Sequence, residues 1–479
     1  MRKDRDLKVG IIGAGPAGLT AAYELAKAGI AVEVFEAGPR VGGLAQTIEL
    51  WNQKVDLGPH RFFTSDSRIN KVWFEVAGRD YRMVNRLTRI YYNSKFFHYP
   101  LKPVDALRKL GVGQSVGCLI SYLREKLSPT PESDTFESWV VRRFGVRLYS
   151  IFFKTYSEKL WGIPCTELDA DFAAQRIKKL SLGEAVKNAL KGGKGNTHKT
   201  LIDQFAYPTG GSGMIYERMA DYVNRHGGRV HLKTPVHAVG GEDEENRRTL
   251  LLEDGTRRTF DHIISTMPLT LLVSRLPGVP ADIRRRVESL TYRNTILIYL
   301  KVEGENLFPD NWLYIHSKEL QTGRITNFSN WVPEIINGEK ASILVMEYWC
   351  YDTDPVWTQP DAELIDMAKR ELRQTGLIAD APVSEGHVRR LARSYPVYSK
   401  GYKDLLKPVQ DYLSGLPGLS VIGRYGSFKY NNQDHSILMG ILAAENIVSD
   451  RNHDLWEINT DYDNYQESSS IETLHPQPA

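Results

Sequence analysis

The sequence predicts an α/β protein: an open parallel sheet, interrupted by a helical insertion and by a lobe of antiparallel sheet. Three observations carry this. A short apolar strand runs through a glycine turn into an amphipathic helix and a second strand over residues 8–36. Apolar residues at helical spacing recur through the first long insertion. Long β-rich runs such as "NTILIYLKV" and "ASILVMEYW" fill the second.

"KVGIIGAG" is a run suited to a buried parallel strand, and it leads into Gly13-Ala14-Gly15-Pro16-Ala17-Gly18. "LTAAYELAKAG" then has helical spacing that stops at Gly29, and "AVEVFE" ends on Glu36. Gly13 permits the tight turn, Gly15 lets the backbone approach a pyrophosphate, and Gly18 lets helix and strand pack closely. The helix N-terminus, which includes Ala17, offers free N–H groups to phosphate. Glu36 is placed to accept from ribose hydroxyls and would repel a 2′-phosphate. Strand, turn, helix, strand and acid in this order make a Rossmann-type dinucleotide site.

The remaining segments divide the chain. The dinucleotide domain is expected in three pieces, 1–75, 205–275 and 410–452. A mostly helical substrate lobe occupies 76–204, an antiparallel-sheet substrate lobe 276–409, and a C-terminal tail 453–479. The helical patterns are "PVDALRKL", "QSVGCLISYLREKL", "DTFESWVVRRFG", "RLYSIFFKTYSEKLWG" and "ADFAAQRIKKL", followed by the basic loop "KGGKGNTHKT". "NWLYIHS" adds another strand-like run to the second insertion.

Composition excludes several classes. The 479 residues are 42% hydrophobic and 25% charged, with 61 basic and 58 acidic side chains and a net charge of +3, so no overall field favours nucleic acid. Cys118, Cys165 and Cys350 are far apart and match neither a disulfide framework nor a metal site. No secretory signal and no run of 18 apolar residues is present, so a cytoplasmic protein without a membrane partner is expected. No metal cluster, nucleophile elbow or P-loop is visible. A cofactor would then carry the reactivity, leaving position and electrostatics to the protein.

"EAGPRVGGLAQT" resembles the second glycine-rich segment of the two-dinucleotide-binding-domain flavoproteins. That resemblance implies FAD, with Arg40, Gly42, Gly43 and Leu44 around its pyrophosphate. It further implies Val236 beside the adenine, Gly423 and Arg424 at the phosphates, and Ser436 and Ile437, at the start of the helix "SILMGILAAENIVSD", facing the flavin pyrimidine. "GPHRFFT", "TYSEKLWG", "YPTGGSGMI", "TYRN", "SYPVY" and "GRYGSFKY" follow in that order, and they are similar to those of UDP-galactopyranose mutase and its relatives, within the wider amine oxidase and protoporphyrinogen oxidase type.

In those mutases reduced FAD attacks the anomeric carbon of a nucleotide sugar through N5, and the flavin–sugar adduct interconverts pyranose and furanose without net redox change. The resemblance implies His60 against the flavin ring, and Tyr156 and Trp161 lining the substrate pocket. Arg293, Arg324, Tyr395 and Tyr430 would contact the diphosphate, and Arg176 would bind substrate. Expected partners are a small-molecule nucleotide sugar, a reductant such as NAD(P)H, and a second copy in a homodimer. The chain departs from the mutases at Leu180, where they carry an arginine, and at Pro59 and Arg61, where they carry alanine and an apolar residue. An FAD-dependent oxidase or dehydrogenase acting on an amine, alcohol or ring substrate stays open, as does a flavin-binding protein without turnover. Glu158 and Lys159 read as a structural polar pair, and Cys165 as inert.

Overall fold

The computed structural model describes residues 7–101, 103–170, 204–245 and 247–458. Arg176, Leu180, the expected helix 170–180 beyond its first residue and the basic loop 191–200 lie outside them, as does the tail beyond residue 458.

The strand Lys8–Ile12 sits at the centre of a five-stranded sheet, between Ala31–Phe35 and His262–Ser265, with Arg229–His231 and Leu419–Val421 at the edges. Every pairing in it is parallel. Both faces are covered, as parallel sheets require. Val9, Ile11, Val32 and Val34 join a core with the helices Pro16–Lys27, Gly213–Arg225 and Gln433–Val448. On the other face Gly10 leaves room for the Phe260 ring, which a Cβ there would meet at 2.6 Å. Phe260 belongs to the three-stranded meander Val236–Glu242, Arg248–Leu252 and Arg257–Phe260.

The second body is a seven-stranded sheet. Its order is Val383–Pro396, Tyr292–Glu303, Ala341–Cys350, Arg324–Asn327, Trp312–Ile315, Thr88–Tyr92 and Lys95–His98. All neighbours are antiparallel except Trp312–Ile315 with Thr88–Tyr92. The interior strand Ala341–Cys350 is buried at every position, because Ile343 and Val345 face one core and Leu344 and Met346 another. This burial on both faces is why its sequence shows a continuous apolar run rather than alternation.

The region 76–204, read as mostly helical, opens instead with three strands, Tyr81–Asn85, Thr88–Tyr92 and Lys95–His98. The last two pair through a two-residue turn at Asn93 and Ser94, whose φ values of 47° and 56° suit a tight hairpin. This hairpin extends the sheet of the second insertion, so the two insertions share one sheet. The helices that follow, Pro103–Leu110, Val112–Leu127, Phe136–Tyr149 and Thr155–Trp161, agree with the sequence pattern. Among the described residues no helix is long and apolar enough to cross a membrane.

Candidate active site

A cavity of about 580 Å³ runs from the first glycine turn, past Glu36, to the inner end of the seven-stranded sheet. Its first part is built from backbone. Gly13 has φ +96°, and a Cβ there would lie 2.2 Å from Thr266 Oγ1. A Cβ on Gly18 would come within 2.1 Å of the Gly13 carbonyl, so only glycine lets this helix start so near the strand. Gly15 and Gly43 face each other, and a Cβ on Gly43 would lie 3.1 Å from Gly15 Cα. The Gly42 N–H donates to Ala14 O at 2.7 Å, tying the two glycine segments together at a residue with φ +102°. The helix Pro16–Lys27 has Gly15 at its N-cap and no side-chain cap, so its leading N–H groups stay available to an anion.

Glu36 lines the cavity and braces this turn: Oε2 accepts from Ala14 N at 2.8 Å and Oε1 from Gly38 N at 2.7 Å. Each oxygen keeps a second lone pair for a ribose hydroxyl. Ala17, Leu44, Val236, Gly423 and Ser436 also line the cavity. Gly423 packs on Ala17, where its Cβ position is 3.2 Å from the alanine methyl. Arg40, by contrast, is exposed and does not line the cavity. Ile437 is fully buried in the core beneath the helix Gln433–Val448, so its side chain does not face a ligand.

At the far end stand His60, Arg324, Tyr395, Arg424 and Tyr430. Tyr395 and Tyr430 stack with ring centroids 5.4 Å apart, and the Arg424 guanidinium lies over both rings at 4.8 and 4.4 Å. Arg424 donates to the carbonyls of Ser394 and Asn431. This places Arg424 over the tyrosines, while its neighbour Gly423 lies against Ala17 in the first helix. Arg324 makes a bidentate pair with the buried Glu347, at 2.6 and 2.5 Å, and reaches Tyr395 Oη at 3.4 Å. Its charge is therefore largely committed to Glu347.

Arg293, Trp161 and Tyr156 are placed differently from the sequence expectation, since none of them lines the cavity. Arg293 is buried and donates to Trp349 O at 2.6 Å and Lys159 O at 3.3 Å, with its guanidinium 4.3 Å from the Tyr351 ring. It brackets the "SEKLWG" segment against the sheet. Gly162, at φ +71°, makes room for it, because a Cβ there would strike the guanidinium at 2.4 Å. Trp161 is 0% exposed, stacked on Tyr398 and edge-on to Tyr395 and Tyr430 at 6.2 and 5.9 Å. It supports the cavity wall from behind. Tyr156 is half-buried, stacked on His316 at 4.9 Å and edge-on to Tyr314, which does line the cavity.

Glu158 and Lys159 are not paired with each other. Lys159 Nζ donates to the carbonyls of Ile315, Ser317 and Thr322, fixing the loop that leads to Arg324. Glu158 accepts from Cys165 N at 3.3 Å. Burial pushes the Cys165 thiol up to about 12, which suppresses the thiolate.

Several site residues escaped sequence reasoning. Tyr99, Trp312, Tyr314 and Glu347 line the cavity, as does Gln433. Gln433 accepts from Tyr216 Oη at 2.6 Å and donates to His60 O at 3.2 Å, so it positions the His60 loop. Tyr314 and Glu347 lie in strand-like runs whose pattern signals only a sheet.

Burial keeps three imidazoles neutral: His60 and His316, each pushed down to about 3, and His262, pushed down to about 4. Neighbouring cations add to this, Arg324 and Arg424 for His60, Lys159 for His316 and Arg248 for His262. The unfolded chain binds those protons near pH 6.5, so this stability is full above about 6.5 and is lost as pH falls through about 4 for His262 and about 3 for His60 and His316. Asp56 works in the opposite direction. Burial raises its carboxyl to about 7 from 3.8, so its share is full at low pH and is lost as pH rises to 7. Three protons against one make acidification below about pH 6.5 destabilising on balance. The urea midpoint is expected to be lower at pH 5 than at pH 7.5, and an equal or higher value at pH 5 would refute this balance.

The model of the family described as flavin containing amine oxidoreductase matches residues 16–448. The chain belongs to that family. Among curated relatives, a probable UDP-galactopyranose mutase from Klebsiella pneumoniae is 29% identical over 179 residues, covering 33% of this chain and 42% of the relative. An L-amino-acid oxidase from Crotalus adamanteus is 36% identical over 112 residues, covering 20% and 22%. The chain thus spans less than half the length of either relative. Among solved structures, reduced UDP-galactopyranose mutase superposes with a TM-score of 0.84 at 22% identity, covering 96% of this chain and 99% of the other. Putrescine oxidase bound to putrescine gives 0.63 at 16% identity, covering 92% and 99%.

As a flavin containing amine oxidoreductase, the protein takes a flavin cofactor, and the cavity fits one. The slot between Gly15 and Gly43 would be narrowed by any side chain at Gly43. His60 lines the wider end, where its Nδ1 is enclosed without a hydrogen-bond partner.

Proposed function

We propose that this flavoenzyme acts on a nucleotide sugar, interconverting its pyranose and furanose forms with FAD in the reduced state. One observation carries the reading: the tyrosine-walled end of the cavity is cationic. Arg61, Arg324 and Arg424 line it against a single carboxylate, Glu347, which is already paired with Arg324. Such a surface favours an anionic substrate such as a nucleoside diphosphate sugar and disfavours an ammonium substrate. When bound and reduced, the flavin supplies a nucleophilic ring nitrogen for the anomeric carbon.

The chain's own groups do the rest. Arg424 and the hydroxyls of Tyr395 and Tyr430 hold the diphosphate, which must stay bound while separated from the sugar. His60, neutral at pH 7, adds no competing positive charge near the ring. Trp312, Tyr314 and Tyr99 exclude water from the sugar.

The relationship to amino-acid and amine oxidases makes a hydride-removing oxidase the second reading, and one experiment separates the two. Purified enzyme, oxidised or reduced with dithionite or NAD(P)H, is incubated with UDP-, GDP- and dTDP-sugars under anaerobic conditions. Isomerised sugar is expected only after reduction, with many turnovers per flavin and no reducing equivalents consumed while the reaction stays anaerobic. Flavin bleaching by an amine or amino acid, with peroxide formation, would replace the mutase reading by the oxidase one.

A further inference from the structure

We propose that the helix Val112–Leu127 is a surface anchor that seats the protein on an anionic phospholipid bilayer. This is independent of the proposed reaction. Val112, Val116, Leu119, Ile120, Leu123 and Leu127 are spaced to form one stripe along the helix. They are exposed by 46% at Ile120 to 87% at Leu127. Nine large apolar side chains are exposed among the described residues, and six of them lie on this helix. A seventh, Val146, belongs to the adjoining helix Phe136–Tyr149.

The stripe faces outward because the opposite side is locked. Cys118 is buried at 1% exposure. Gly145 of the neighbouring helix, at φ +78°, approaches Ser121 and the Tyr122 backbone so closely that a Cβ would lie within 2.9 Å of both. The stripe cannot rotate inward without breaking that contact.

The charges beside the stripe are mostly positive, and the exposed Glu132 beyond its C-terminal end is paired with Arg142. Arg124 and Lys126 flank it on the same helix, and Arg143 and Arg147 are exposed on the next. None of the four forms an ion pair with a described carboxylate. Glu125 is turned away, half-buried, and accepts from Thr130 N and Oγ1 at 2.6 and 2.9 Å. An apolar stripe bordered by cations is the pattern of a helix lying in a membrane interface. With 16 residues it lies on the bilayer rather than crossing it, so the absence of a membrane span leaves the proposal untouched.

The same charges disfavour other occupants. A two-fold pairing of this face would bring four cations toward their own copies. The segment 171–203 of this chain carries seven Lys and Arg against three Asp and Glu, so it too would be repelled.

The test uses the full-length, flavin-loaded protein and sedimentation with vesicles of phosphatidylcholine, alone or with about 30 mol % phosphatidylglycerol. Binding is expected only to the anionic vesicles, with release at high salt. Arg124→Ala with Lys126→Ala should weaken it by about fivefold per cation removed. Leu123→Glu with Leu127→Glu should abolish it, with flavin content and thermal midpoint unchanged, since both side chains are exposed. The proposal is overturned if folded protein does not bind anionic vesicles, or if the double glutamate variant still does. It is also overturned if light scattering shows a dimer that this variant splits, since the face would then join two copies.

Discussion

Glu347→Gln is expected to destabilise the flavin-loaded protein by about 3–5 kcal/mol, although the change replaces one oxygen by an amide. Glu347 lies in the middle of the fully buried strand Ala341–Cys350 and is itself 2% exposed. Both its oxygens accept from Arg324, whose side chain is 15% exposed. Burial works against the arginine's charge, and Glu347 more than restores it. With the carboxylate gone, a guanidinium is left in the cavity wall without a counter-charge.

Arg324→Met should cost a similar amount for the mirror reason. The double variant Arg324→Met with Glu347→Leu should recover most of the loss, because no unpaired charge remains. Urea unfolding of the three variants measures the coupling directly. Single-variant losses below about 0.5 kcal/mol would show that the pair is hydrated and its burial illusory.

Trp161→Ala should cost about 3–5 kcal/mol and should also disturb the cavity. The indole is fully buried, and Tyr395, Tyr398 and Tyr430 all rest against it. Its loss leaves a void that the stacked Tyr395–Tyr430 pair can relax into, so KM should rise along with the fall in stability. Trp161→Phe, which fills much of the space, should give a smaller version of both effects. A Trp161→Ala protein with unchanged thermal midpoint and only a raised KM would instead place the indole in contact with substrate.

The opening strand, turn and helix were legible because local constraints act there. Gly13, Gly18 and Gly42 each answer a backbone requirement within a few dozen residues, and the structure gives every one a positive φ or a steric contact that explains it. The helices of the first insertion were legible for a similar reason, since their apolar spacing is a local signal. The hairpin Thr88–His98 went unread although "YYNSKFF" holds a two-residue turn, because the helical patterns after it dominated that region.

Site geometry was harder to read, and the motif "TYSEKLWG" shows why. The sequence marks it as distinctive but cannot say which way its side chains point. In the folded chain Trp161 turns inward behind the wall, Lys159 is held by three carbonyls of a loop more than 150 residues away, and Tyr156 packs on His316. Arg293 and Arg324 are both arginines on buried strands, yet one is bound by backbone carbonyls outside the cavity and the other by Glu347 inside it.

By itself, then, the sequence determined the dinucleotide half of this protein and its family, because glycine turns, caps and strand periodicity are encoded by neighbours along the chain. Only the tertiary structure decided which of the distant aromatic and charged residues meet at the cavity. Their roles depend on partners supplied by other strands, and a residue's type does not reveal which partner folding will bring to it.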